Sequence, residues 1–268
     1  MIKFSIITVC LNAGQDLIDT VNSTLEQTYG DYEIIVKDGF STDGSVEKLP
    51  EDDRIRVIQQ NDAGIYDAMN QGIDAAIGDY LLFMNAGDRF YDNSTLSEVE
   101  SLIDVNSAVM YYGRCYNDAI NVYSNSPKHL TAFFCYRSMI CHQAMIFQRK
   151  YIQRNKYDCG YDVSADREML LDIVVKKKLD TKYIPIIVAR YKGDGFCETE
   201  KNKQKVKEED KRLKEVFFTN KQRMLYGIMI SLTFPKIRQK IVNNPKLRRT
   251  YKVAVGMLYG NRGVNHGK

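Results

Sequence analysis

Short apolar runs and helix-period segments alternate along the N-terminal half of the chain. Phe4 to Cys10 is a first apolar run, FSIITVC, and it predicts a strand ending at Leu11-Asn12-Ala13-Gly14. Leu17, Ile18, Val21 and Leu25 then recur at helical spacing and predict a helix from about Gln15 to Gln27. Glu33 to Lys37 and Arg56 to Ile58 predict two further strands, with a short helix opening at Ser45 to Leu49 between them. Ile65, Ala68, Met69, Ile73 and Ile77 mark the inner face of a helix over Ile65 to Ile77, which Gly78 is expected to close. The run Tyr80 to Met84 follows, apolar throughout, as suits a strand covered on both faces of a parallel sheet. This order of elements, with short Gly/Asp-rich junctions, is the signature of βαβ units.

The second half reads less regularly. Val109 to Tyr123 is tyrosine-rich and predicts strands, as do Ile140 to Phe147 and Tyr183 to Tyr191, while Ala165 to Lys177 predicts a helix. The loop Gly193-Asp194-Gly195 ends the last strand. After Cys197 the composition changes to a charged helix, Lys201 to Phe218, and a basic amphipathic one, Arg223 to Val242.

Charge sharpens that boundary. The chain of 268 residues carries a net +4, but residues 201–268 hold eighteen Lys and Arg against four Asp and Glu. The rest holds twenty against thirty, an acidic body joined to a basic tail that suits anionic lipid, nucleic acid or an acidic partner. The six cysteines form no CxxC pair, which speaks against a zinc or redox motif and for a reducing cytoplasm. No signal peptide is expected, and the longest late apolar stretch, Tyr226 to Phe234, is about half of a membrane span.

The candidate chemistry lies where the strands end. Asn12, the segment Asp38-Gly39-Phe40-Ser41-Thr42-Asp43-Gly44 and Asp88 would form a polar rim on one edge of the sheet, the edge where α/β proteins bind ligands. There is no Walker loop and no G-x-G-x-x-G, so neither a P-loop nor a dinucleotide fold is favoured.

The motifs FSIITVCLN, VKDGFSTDGS and GIYDAMNQGIDAAIGDYLLFMNAGDRF, with Ser164-Ala165-Asp166-Arg167-Glu168 further on, resemble glycosyltransferase family 2 over about residues 2–197. Within it, the resemblance is to the enzymes of exopolysaccharide, capsule and colanic-acid-type synthesis. It implies an α/β chain of the GT-A type, a Rossmann-like mixed sheet flanked by helices, with a helical C-terminal extension. The catalytic domain would be residues 1–197 and the basic helical extension residues 198–268. The activity implied is inverting transfer of a sugar from a nucleotide-sugar, a UDP-sugar in the first instance, to a saccharide acceptor that is lipid-linked.

The resemblance also assigns roles. Asp38 would read the uracil. Asn12, Ser41, Asp43, Asp62, Asn70, Asn85 and Lys192 would line the donor site. Asp88 would be the last carboxylate of the metal motif for Mn²⁺ or Mg²⁺. The usual first carboxylates stand here as Asn85 and Gly87, so Asp88 would be the one protein carboxylate on the cation, with the diphosphate and water completing its shell. Asp166 would be the catalytic base, Glu168 the alternate, and His142 a contact near the acceptor. Lys192 to Glu198 would be the loop that closes over the donor phosphates. Tyr111, Tyr112, Tyr116 and Tyr123 are candidates for stacking on sugar rings or for the core.

Two other readings compete. One is a degenerate, non-catalytic glycosyltransferase-like binding subunit, motivated by the missing metal carboxylates. The other is an anionic-surface or nucleic-acid binding protein acting through the tail. The amphipathic pattern of residues 201–268 favours a peripheral contact with the inner face of the cytoplasmic membrane over nucleic acid, which is not an expected partner. Packing of the same apolar positions on the catalytic domain, or on a second subunit in a homo-oligomer, is the alternative.

Overall fold

The computed structural model describes residues 3–193, 200–232, 241, 243–244 and 247–248. The N-terminal half builds β1 (Phe4–Cys10), α1 (Gln15–Leu25), β2 (Tyr32–Asp38), β3 (Ile55–Gln59), α2 (Ile65–Ala75) and β4 (Tyr80–Phe83). β1 pairs in parallel with β2 on one side and β4 on the other, and β2 pairs in parallel with β3. The second half adds β5 (Arg89–Phe90), α3 (Thr95–Leu102), β6 (Met110–Asn117), β7 (Val122–Tyr123), α4 (Ala132–Arg137), β8 (Met145–Gln148), α5 (Arg149–Ile152), α6 (Ala165–Leu171) and β9 (Thr181–Tyr191). One mixed sheet results, in the order β3-β2-β1-β4-β8-β6-β9-β5 with β7 against β6. Antiparallel β8 joins the parallel half to the mixed half.

The alternation of side chains across the sheet explains its two covers. Ile7, Val9, Ile35, Leu81 and Phe83 point to one face, under α2 and the helices of the second half. Phe4, Ile6, Ile34, Val36 and Leu82 point to the other, under α1 and α3. β1, β2 and β4 are therefore buried along their whole length, β4 as its unbroken apolar run predicts, β1 and β2 with Ser5, Thr8, Glu33 and Lys37 carried inside.

Gly78 has a different job from the expected one. The helix already stops at Ala75, with Ala76 extended behind it. A Cβ at Gly78 would lie 2.6 Å from the backbone of Phe4 and Ser5, so the residue permits two backbones to touch.

Other departures have local causes. Ser45 to Leu49 forms turns instead of a helix, because Asp43 takes the amide (3.0 Å) and hydroxyl (2.6 Å) of Ser45. The strand expected at Ile140 begins only at Met145, after a 3₁₀ turn over His142–Ala144. α3 and α4, each of eight residues or fewer, were not expected from periodicity. The helix opened by Ala165 relaxes into a π turn over Asp172–Lys176.

α7 (Glu200–Phe217) and α8 (Asn220–Leu232) complete the described chain. Leu213 and Phe218 are buried in the same core as α2 and α6, so this stretch is packed into the body of the protein. The rest of the helix expected to Val242, and the loop 194–199, lie outside the described residues apart from isolated positions.

Candidate active site

The tips of the three N-terminal strands meet around Asp38. Cys10, Asp38 and Gln59 are aligned across β1, β2 and β3 by register. Asp38 is fully buried and accepts from the Ser41 amide (3.0 Å) and hydroxyl (2.5 Å) and from Gln59 Nε2 (3.1 Å). Burial works against its charge, but the hydrogen bonds from Ser41 and Gln59 outweigh it and hold the carboxyl below its ordinary value. The loops after β1 and β2 are then zipped together. Asn12 Oδ1 accepts from the Thr42 amide (2.8 Å), Ser41 Oγ from the Asn12 amide (2.8 Å), and Asp43 from the Gly14 amide (2.7 Å). Asn12, Ser41 and Asp43 thus hold a rigid rim whose polar atoms are largely engaged with one another.

Lys37 is a site residue that the sequence reading missed. Its ammonium is fully buried and donates to Asp62 Oδ2 (2.8 Å), Gln60 O (2.7 Å) and Asp38 O (3.2 Å). All three protons are used, and Asp62 is fixed beside the Asp38 loop. A lysine inside an apolar strand was the available signal, since such a group is buried only with partners.

Asp88 leaves β4 through a tight turn, its amide donating to Asn85 O at 2.8 Å. Thr20 of α1 secures the turn, accepting from the Gly87 amide (2.9 Å) and donating to Asp88 O (2.7 Å). The Asp88 carboxylate is buried and accepts from Gln143 Nε2 at 3.1 Å. Burial pushes its carboxyl up to about 6, against the pull of His142 and Gln143. Beside it, Asn85 Oδ1 is buried with no hydrogen-bond partner.

His142 joins this turn to the start of α6. Its Nε2 lies 3.3 Å from Asn85 Nδ2 and its Nδ1 3.8 Å from Asp166 Oδ2. Asp166 is 9% exposed, and its other oxygen accepts from the Tyr66 hydroxyl (2.9 Å) and the Arg167 amide (2.8 Å). Asp88, Asn85, His142, Gln143 and Asp166 therefore form one polar cluster at the carboxyl edge of β4. Tyr66 was not singled out in the sequence; GIYDAMN was, for its resemblance alone.

Six further candidates have their partners outside this cluster. Asn70 uses both ends of its carboxamide on the Tyr157 backbone, at 2.9 Å each, and ties α2 to the segment before α6. Lys192 is paired with Asp16 at the start of α1, next to the Gly87 turn. Tyr111 and Tyr112 are core residues, whereas Tyr116 and Tyr123 stack on each other at 5.0 Å near the surface.

Glu168 faces away from the cluster, among Asp158, Asp172, Lys176 and Lys177. Burial, with Asp172 and Asp158 nearby, pushes its carboxyl from 4.5 up to about 7. A folded value above the unfolded one gives stability at low pH that is lost as pH rises through about 7. Glu168→Gln removes that loss. We expect thermal melts to show little change at pH 4.5 and a gain of roughly 1–2 kcal/mol at pH 8, after discounting for its partial exposure. An equal shift at both pH values would contradict the buried-carboxyl account.

A cation fits this cluster in part. Asp88 and the orphaned Asn85 oxygen are hard ligands of the type Mn²⁺ and Mg²⁺ take. Among the described residues no group of three His, Cys, Asp or Glu could hold an ion. Oxygens of a bound diphosphate would have to complete the shell.

Comparison with known proteins decides the family, because the Glycosyl transferase family 2 profile matches residues 5–170. The chain belongs to glycosyltransferase family 2. A PGL/p-HBAD biosynthesis glycosyltransferase of Mycobacterium bovis is 32% identical over 201 residues, covering 72% of this chain and 77% of that protein. The crystal structure of S. aureus TarS 1–349 in complex with UDP superposes with a TM-score of 0.59 at 17% identity, over 71% of this chain and 60% of TarS. A mannosyltransferase from Pyrobaculum calidifontis, in complex with GDP-Man and Mn²⁺, gives 0.54 at 18% identity, over 70% of this chain and 56% of that one. The chain thus spans less than two thirds of either solved structure. The fold of this family 2 member is GT-A: a Rossmann-like mixed sheet with helices on both faces and helices at the C-terminal end.

Proposed function

We propose that the protein transfers a sugar from a UDP-sugar, with inversion, to a lipid-linked saccharide in cell-surface polysaccharide synthesis. The observation that carries this reading is the single cluster in which His142 lies between the Asp88 turn and Asp166. The UDP complex of TarS supports the donor, and the similarity to a PGL/p-HBAD biosynthesis glycosyltransferase supports a biosynthetic setting.

The roles follow from position. The joined loops at Asn12, Asp38 and Asp43 present a fixed rim to the nucleoside, with Lys37 and Asp62 holding its far side. Asp88 and Asn85 face the diphosphate, and a divalent cation there would offset charge on the departing group. Asp166 takes the acceptor hydroxyl proton as that oxygen attacks the anomeric carbon from the side opposite the diphosphate. Tyr66 and the Arg167 amide hold one carboxylate oxygen, leaving the other toward His142. A thermal-shift screen of UDP-, GDP- and dTDP-sugars with Mn²⁺ tests the donor: stabilisation by UDP-sugars is expected, and a response to GDP-sugars alone would overturn the uridine assignment.

The acceptor's membrane setting has its own support. In α8, Tyr226 packs inward on Phe133 and Tyr136, at 5.2 Å each, while Met224 (66%), Leu225 (52%), Ile228 (52%) and Met229 (37%) are exposed. After Glu215 the sequence has eleven Lys and Arg and no acidic residue. No helix among the described residues is long and apolar enough to cross a membrane. An apolar helical face within a basic stretch suits the surface of an anionic bilayer on its cytoplasmic side, where each nearby cation contributes about 1 kcal/mol. The full-length protein is expected to co-sediment with vesicles containing phosphatidylserine but not with pure phosphatidylcholine, and Leu225→Glu/Ile228→Glu should lose most of that binding. Undiminished binding by the double variant, or a salt-sensitive shift with DNA but none with vesicles, would sink the membrane reading.

A further inference from the structure

The family profile ends at residue 170 and includes Tyr66, His142 and the Arg167 amide, which meet the Asp166 carboxylate. Further contacts to the segments on either side of Asp166 nevertheless come from beyond it. α6 is only seven residues long, has no side-chain cap, and passes directly into a π turn. The segment before it, residues 156–164, has no regular structure. The apolar face of α6 is buried through Ala165, Met169 and Leu170, but the turn that leads into it has little hydrogen bonding of its own to fix where Asp166 begins.

α7 supplies what is missing on both sides. Upstream, the Glu209 carboxylate accepts from the amides of Asp162 (2.8 Å) and Val163 (3.2 Å), and Lys205 pairs with Asp162. Downstream, Asp210 pairs with Arg167 at 2.9 Å. The Arg167 side chain is 12% exposed and also donates to Cys135 O (3.2 Å) and Tyr136 O (3.3 Å) at the end of α4. Its amide is the one that holds the Asp166 carboxylate. Leu213, one turn beyond Glu209 and Asp210, is fully buried and seats this face of α7 on the body.

We propose that Glu209 and Asp210 are positioning residues for the base, so that the first C-terminal helix is part of the catalytic apparatus. The proposal rests on the reading of Asp166 as the base. Removing Asp210 leaves a mostly buried guanidinium without its counter-ion, and that cation then draws the 166–167 backbone toward other partners. Removing Glu209 frees the amides of the turn that delivers Asp166 to the cluster. Displacement of a catalytic group by about 1 Å costs on the order of 10²-fold in rate without touching the donor site.

The test uses the full-length chain with Glu209→Ala, Asp210→Asn, the pair together, Asp210→Glu and, as reference, Asp166→Asn. Turnover, UDP affinity and near-ultraviolet dichroism are measured at a temperature where every variant is folded. Expected are a fall in kcat of about 10-fold for each single variant and about 10²-fold for the pair, with UDP affinity unchanged and most turnover regained by Asp210→Glu. Wild-type kcat in the double variant while Asp166→Asn is inactive overturns the positioning role alone. Parallel losses of kcat and UDP affinity also overturn it, showing a general structural support. An active Asp166→Asn overturns the base assignment and the proposal with it.

Discussion

Replacing Asp166 by Asn is expected to lower turnover by about 10²–10⁴-fold while leaving UDP affinity within experimental error of wild type. The substitution preserves shape, and its carboxamide oxygen still accepts from Tyr66 and the Arg167 amide, which meet the carboxylate at 2.9 and 2.8 Å. What is lost is the capacity to take a proton at the oxygen near His142. The fold should tolerate the change, because the packing of Ala165, Met169 and Leu170 around it is untouched. Single-turnover rates with a fixed donor check this. A variant that keeps most of its rate would move the base elsewhere, and Glu168 is poorly placed to inherit the role, since it sits among Asp158, Asp172 and the lysines of the π turn.

The second large effect is expected at Asp88. Asp88→Asn keeps an oxygen for Gln143 but removes the one negative charge offered to a cation at the β4 tip. The part of UDP affinity that depends on Mn²⁺ should vanish, and kcat should fall by on the order of 10²–10³, the scale at which groups that stabilise developing charge act. Calorimetric titration of UDP with Mn²⁺ and with EDTA separates the two contributions. Equal Mn²⁺ enhancement in wild type and variant would show that the cation, if bound, is held by other ligands.

The parallel half of the sheet was legible because β1, β2 and β4 are buried on both faces, so they appear as mostly apolar runs ending in polar loops. The polar tips at Asp38 and Asp88 were legible for the same reason, as the loops that end those strands. Asp166 was singled out by the resemblance to the family and not by its local pattern, which reads as an ordinary acidic residue opening a helix. Partnerships across the fold were not. Tyr66 and Asp166 are 100 residues apart, and nothing in the periodicity of either helix joins them. Lys37 read as the end of a strand, although its burial depends on Gln60 and Asp62 curling back over it. Asn70 shares a motif with Tyr66, but the two side chains serve different ends: one meets the base, the other clamps Tyr157. The tail read as a charged appendage because its charges outnumber its anchors. Leu213 of α7 and Phe218 just after it are both buried in the core. α3 and α4 escaped because short helices carry too few turns for a period to show.

The most direct test of the central claim is nucleotide release from UDP-sugars, followed with Mn²⁺ and with EDTA, in the presence of lipid-linked saccharide acceptors. The account predicts UDP release that requires both metal and acceptor and that is lost in Asp166→Asn and in Asp88→Asn. Tight UDP-sugar binding with no release under any of these conditions would contradict it and leave the protein a binding subunit on a glycosyltransferase fold.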